Sequence, residues 1–122
     1  MKRVLLSLTA LTQVFAAVPD PVKLDTGLLS GVAGTTPEVR VFKGVPFAAP
    51  PVGDLRWREP KAPAHWEGTH AADKFGPQCM QNAPGGPPAE GVSEDCLYLN
   101  VWAPAEPTAE RLPLSAAPQF LG

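Results

Sequence analysis

Sixteen prolines and eleven glycines fall within 122 residues, nearly twice the usual share of roughly 12% for the two together. Proline offers no backbone donor and glycine loosens the interior of regular elements, so few long helices are possible. What remains open to the chain is short strands, turns and extended connections.

Residues 22–33 (VKLDTGLLSGVA) hold short apolar runs broken by Asp25-Thr26-Gly27 and Ser30-Gly31, which predicts an edge strand with a turn or bulge. Gly34-Thr35-Thr36-Pro37 signals a turn. Residues 39–45 (VRVFKGV) then alternate apolar with polar, so one face is predicted to be buried and the other solvated. These two runs are expected to pair as an antiparallel hairpin, ended by Pro46 and the Pro50-Pro51 pair. Residues 52–78 read as an extended, turn-rich connection anchored by Trp57, Trp66 and Phe75, since isolated aromatic side chains in such a stretch gain burial only against a larger body. Residues 82–91 (NAPGGPPAEG) read as a flexible loop, and residues 97–102 as the clearest strand.

The N-terminus is laid out differently. Lys2 and Arg3 precede residues 4–15, which carry no charge, and Ala16-Ala17 follows; this is the layout of a secretory signal cleaved after Ala16. A membrane-spanning helix is the other reading, but fewer than ~18 apolar residues precede Pro19, too few to cross a bilayer comfortably. Export would leave eight basic against twelve acidic residues, a net charge of −4. With no basic stripe, neither a nucleic-acid partner nor stable membrane insertion is expected.

Cys79 and Cys96 are the two cysteines. In an exported chain they are expected to pair, closing a loop of about 18 residues worth roughly 3 kcal/mol on the chain-entropy model; two unpaired thiols are the alternative. His65 and His70 stand in no ligand spacing with them, and a zinc site needs three or four ligands. No metal and no cofactor are expected.

Residues 93–104 carry the most specific signal. After Ser93, the run Glu94-Asp95-Cys96-Leu97-Tyr98-Leu99-Asn100-Val101-Trp102-Ala103-Pro104 joins an acidic pair, a cysteine and an alternating strand. It resembles the second signature of the type-B carboxylesterases, the group that includes cholinesterases and the bacterial and fungal esterases like them. Phe42-Lys43-Gly44-Val45-Pro46-Phe47-Ala48, then Pro50-Pro51-Val52-Gly53-Asp54-Leu55-Arg56-Trp57, then Pro60, Pro63 and Trp66 are similar to segments of that family in the same order. The resemblance runs from about Val22 to about Pro104 and implies an α/β class, the α/β-hydrolase fold. Within it this chain would supply the N-terminal antiparallel strands and the first strand of the main sheet. The resemblance also matches Cys79 and Cys96 to a structural disulfide, and Arg56 and Glu94 to a structural salt bridge. Such a pair is costly to break if buried and worth little if exposed. The implied division is a signal peptide at 1–16, the N-terminal part of a carboxylesterase domain at 17–104, and an atypical, unstructured tail at 105–122.

A complete member of that family would hydrolyse a small-molecule carboxylic ester through a serine nucleophile, a histidine base with an acidic partner, and an oxyanion hole of backbone N–H groups. This chain has no Gly-x-Ser-x-Gly and no His-Gly-Gly-Gly run. Gly91-Val92-Ser93-Glu94-Asp95 comes within one residue of a nucleophile elbow, yet an elbow needs a strand before its serine and a helix after it. Here a loop precedes and a strand follows. Ser93 is therefore not expected to be a nucleophile, nor His65 or His70, in polar loops, its base. Asp95 is expected to cap local backbone donors, and Tyr98 and Trp102 to be core or strand residues. No catalytic, cofactor-binding or metal residue is assigned. The expectation is an N-terminal fragment of a secreted carboxylesterase, left by truncation or a misread frame and inactive by itself. A non-catalytic, cholinesterase-like binding or adhesion protein is the alternative, and the oligomeric state is left open.

Overall fold

A computed structural model describes residues 20–81, 86, 91–106 and, for the backbone alone, 115–118. The signal expected at 1–16 and most of the loop expected at 82–91 lie outside these residues. In chain order the strands are β1 (Val22–Leu24), β2 (Gly27–Ser30), β3 (Val32–Ala33), β4 (Val39–Pro46), β5 (Thr69–Ala71), β6 (Gln78–Cys79), β7 (Val92–Ser93), β8 (Tyr98–Pro104) and β9 (Ser115–Pro118). A single 3-10 turn, Gly53–Leu55, precedes β5, and no α-helix occurs among the described residues.

The strands form three sheets, ordered β1-β2-β5, β3-β4-β8-β9 and β6-β7. β1 and β2 fold back antiparallel across Asp25 and Thr26, with Leu24 opposite Gly27. β5 then adds parallel to β2, pairing Leu29 with His70. Trp66 holds that return in place, because its indole N–H donates to the Leu28 carbonyl at 2.8 Å and its backbone N–H to the Thr26 carbonyl at 2.9 Å.

The first two sheets are joined by one alanine. Ala72 donates its N–H to the Ser30 carbonyl at 2.8 Å and accepts from the Lys43 N–H at 2.9 Å. It is fully buried and belongs to the core cluster of Leu29, Phe42, Val45 and Ala72, with Val22, Leu24, Trp66, Leu99 and Val101 packed around it. Burying side chains of this size yields about 1.5–3 kcal/mol each, so Leu29, Phe42 and Val45 carry most of the adhesion between the sheets.

The hairpin expected between residues 22–33 and 39–45 forms only at its inner end, where Val32 pairs with Val41 and Ala33 with Arg40. The chain changes sheets at Gly31. A Cβ there would come within 2.9 Å of both the Val41 carbonyl and the Phe42 ring, an approach open only to glycine. β4 finds its main partner much further along the chain, in antiparallel register with β8 from Val39 opposite Pro104 to Pro46 opposite Tyr98.

The single buried face expected for β4 is also corrected. Val41 and Phe42 are neighbours on opposite faces, and both are buried. Phe42 enters the core between the sheets, while Val41 sits opposite Trp102. Between Phe42 and Val45 the register shifts by a bulge, and Gly44 occupies it at φ 63°. A Cβ at Gly44 would lie 2.5 Å from the Lys74 carbonyl, so both backbone conformation and close approach call for glycine.

Within the tail expected to be unstructured at 105–122, residues 115–118 form β9. It pairs antiparallel with β8, from Trp102 opposite Ser115 to Leu99 opposite Pro118. The missing element in the sequence reading was an edge to extend: β8 offers one, so a short segment unable to form a central strand can still add beside it.

Candidate functional site

The residues singled out by sequence converge on the chain between the 3-10 turn and the start of β8. The turn is closed by the Leu55 N–H to the Val52 carbonyl at 3.0 Å and the Arg56 N–H to the Gly53 carbonyl at 3.2 Å. This directs the Arg56 guanidinium at Glu94, to which it donates a hydrogen bond. That hydrogen bond, followed by the charge of Glu94, raises the Arg56 pKa above its ordinary value. Both side chains remain about half exposed, at 53% and 47%, so solvent screens the attraction and the pair acts as an orienting contact more than a source of stability.

Glu94 directly follows β7, which pairs parallel with β6. Cys79, at the end of β6, is joined to Cys96 by a disulfide with a Cα separation of 5.0 Å. The covalent and ionic links thus converge on one short loop. Inside it the Ser93 hydroxyl accepts from the Asp95 N–H at 3.1 Å, a local turn that sets the chain toward β8. Asp95 does not cap a neighbouring donor through its carboxylate in this contact: its own amide is the donor. Its carboxylate instead accepts from the Tyr98 phenol. Burial, then that hydrogen bond and the charge of Asp95, raise the Tyr98 pKa.

A cleft of about 270 Å³ opens over this loop, lined by Pro51, Arg56, Trp57, Met80, Ser93, Glu94 and Cys96. No histidine lines it. His70 lies in β5, in a different sheet from Ser93, exposed and with its ring 5.3 Å from that of Trp66. His65 is exposed on the connection. Ser93, His65 and His70 are therefore not assembled into a nucleophile and base. Among the described residues no group of three or more His, Cys, Asp or Glu side chains stands where it could hold a metal.

The three aromatic anchors expected for the connection separate. Trp66 packs on the core, and Phe75 lies beneath the Lys43 ammonium, 4.8 Å from the ring centre. Among the described residues Trp57 anchors nothing: its exposure reaches 101% at a φ of 58°. That left-handed conformation costs a bulky residue about 1–2 kcal/mol. Trp102 is on a strand but half in solvent. It shares a second groove of about 440 Å³ with Val39, Lys43 and Phe75.

Sequence reasoning missed the contact that shapes β8. Asn100 is buried at 5% exposure, and its side-chain oxygen accepts from the Gly44 N–H at 2.9 Å. A lone glycine inside a strand pattern was the available signal for the bulge; nothing local pointed to its acceptor.

Comparison with known proteins bears on the whole stretch. The family model described as the carboxylesterase family matches residues 19–115. The chain is 48% identical over 102 residues to fumonisin B1 esterase of Sphingopyxis macrogoltabida, covering 81% of this chain and 19% of that protein. It is 42% identical over 94 residues to carboxylesterase 5A of Homo sapiens, covering 68% and 16% respectively. A solved structure of PNB esterase superposes with a TM-score of 0.64 at 36% identity, covering 73% of this chain and 19% of that one. These esterases have the α/β-hydrolase fold, of which the strands described above form an N-terminal part. The chain spans less than a fifth of the length of each.

Proposed function

The chain belongs to the carboxylesterase family, and from that premise we propose that it forms the N-terminal scaffold of an exported hydrolase acting on small-molecule carboxylic esters. The family match over residues 19–115 carries this reading. In the complete hydrolase a serine attacks the ester carbonyl while a histidine removes its proton, and backbone N–H groups hold the oxyanion. The residues described here contribute none of those groups. Their part is to hold shape: the Cys79–Cys96 disulfide and the Arg56–Glu94 pair fix the loop that leads into β8, and β8 carries the sheet onward.

Export rests on the charged head at Lys2 and Arg3 ahead of the uncharged residues 4–15, and on a disulfide that an oxidising compartment preserves. No helix among the described residues is long and apolar enough to cross a membrane. Expression in a secreting host, with N-terminal sequencing of the product, tests export; a mature protein beginning at Ala17 is the expected result. Catalysis is tested by purifying the chain alone and also fused ahead of the portion of fumonisin B1 esterase beyond its matched region. The expected outcome is no turnover of a p-nitrophenyl ester by the chain and turnover by the fusion, abolished by a serine-directed phosphonylating reagent. A folded fusion without activity would overturn the esterase reading.

A further inference from the structure

The groove beside Trp102 holds a positive charge that no carboxylate among the described residues neutralises. Val39, Val41 and Lys43 of β4 line it together with Phe75 and Trp102, around about 440 Å³, a size within the roughly 300–1,000 Å³ of small-molecule sites. Its floor is apolar, because Val41 is buried and lies opposite Trp102 of β8. Phe75 and Trp102 each keep a little over a third of their surface open, at 36% and 38%. The Lys43 ammonium stands 4.8 Å from the Phe75 ring centre, whereas the ion pairs among the described residues belong to Arg40 and Arg56. The cleft over the disulfide loop differs in this respect: its cation, Arg56, is already matched by Glu94. Both ends of the groove are braced by the backbone. The Lys43 N–H donates to the Ala72 carbonyl at 2.9 Å, and at the far end the Gly34 N–H donates to the Val39 carbonyl at 2.7 Å and the Val39 N–H to the Thr36 carbonyl at 3.1 Å.

Charge and shape together select the ligand. Lys43 is only partly exposed, so its charge acts through a medium less polar than water and attracts an anion more strongly. A single ammonium matches a single negative charge. Phe75 and Trp102 favour a flat apolar body, since aromatic rings pack well on one another. Two residues of strand separate Val41 from Lys43, about 7 Å at the usual rise, which suits a ring joined to its carboxylate by a short chain. We propose that this groove binds amphipathic monocarboxylates, with the carboxylate paired to Lys43 and the apolar body over Val41 between Phe75 and Trp102. The source of such a ligand rests on the esterase reading above: the acyl half of a cleaved ester leaves as a carboxylic acid, so the groove holds product.

The test titrates hydrocinnamate, and hydrocinnamyl alcohol as its uncharged counterpart, into the purified chain and into the fusion described above, followed by calorimetry. Saturable binding of the carboxylate to both proteins is expected, tighter than that of the alcohol by at least about tenfold, as for a charge-assisted hydrogen bond. Lys43→Met should abolish that preference while leaving the alcohol's affinity within about threefold, and Lys43→Arg, which keeps the charge, should retain it. Trp102→Ala should weaken both ligands together, because it removes a wall and not the charge. Circular dichroism of each variant checks that its strands persist, and the Lys43→Arg result separates loss of charge from loss of fold. No saturable binding to either protein, equal affinity for acid and alcohol, or a preference that survives Lys43→Met would each overturn the proposal. Binding to the chain that disappears in the fusion would overturn it as well, by showing that polypeptide fills the groove. An active fusion that binds no carboxylate would leave the esterase reading standing and remove this one; Lys43-dependent binding by an inactive fusion would do the reverse.

Discussion

The backbone N–H of Gly44 points at the side-chain oxygen of Asn100, 2.9 Å away and buried between β4 and β8. A bulge leaves one strand residue unpaired, and here the partner strand supplies a side-chain acceptor where the ladder has none. The two longest strands can therefore bend around the core without stranding a buried donor.

Truncating that acceptor should be expensive for a single buried contact. Asn100→Ala is expected to destabilise the chain by about 1–3 kcal/mol, the cost of leaving a buried N–H unsatisfied. Gly44→Ala should cost at least as much, because it adds a strained φ and a clash with the Lys74 carbonyl. A lower urea midpoint with unchanged slope, read by tryptophan fluorescence, is the check; an Asn100→Ala midpoint equal to wild type would remove the role given to Asn100.

Opening the Cys79–Cys96 bond, with its separation of 17 residues, is expected to cost roughly 3 kcal/mol through the restored freedom of the unfolded chain. The paired variant Cys79→Ser with Cys96→Ser should match the reduced wild type in urea unfolding. A wild-type midpoint insensitive to dithiothreitol would contradict this.

Arg56→Ala is expected to shift the urea midpoint far less than loss of the disulfide, since the ion pair with Glu94 is half exposed and screened. A double-mutant cycle with Glu94→Gln should give a coupling that shrinks as salt is added. A coupling that is large and independent of salt would mean the pair is shielded from water.

Tyr98 is the chain's one tyrosine, so phenolate absorbance reports it alone. Burial first, then the hydrogen bond and charge of Asp95, raise its pKa above the ordinary 10.0. The unfolded chain therefore loses this proton at lower pH than the folded chain. Between the two values the folded state holds more protons, and stability falls as pH rises. The contribution is whole below about pH 10 and is lost as pH climbs through the folded value. Asp95→Asn should move the native midpoint only part of the way back, because burial remains. Equal phenolate midpoints in buffer and in urea would refute the assignment.

Much of this could be seen in the residues themselves. The order of the segments around Pro46, Pro50-Pro51, Arg56 and Cys96 pointed to the carboxylesterases, and the comparisons place the chain in that family. β8 was visible as an apolar alternation, and the bulge had a signal in Gly44. Trp57, Trp66 and Phe75 looked alike as anchors because residue type states how much surface a ring can bury, not whether a neighbour is there to cover it.

Residue identity and local spacing decided what the chain is made of: strands and turns between prolines, two cysteines, and the acidic pair before β8. These are properties of a few consecutive positions, so they survive without knowledge of the rest. Tertiary structure alone decided that β4 lies against β8, that Ala72 joins two sheets, that Asn100 serves Gly44 from 56 positions away, and that Trp57 faces water. Each of those depends on which distant groups arrive at the same place, and the free energy that selects among them comes from burial and hydrogen-bond completion across the whole fold, which no short window of sequence contains.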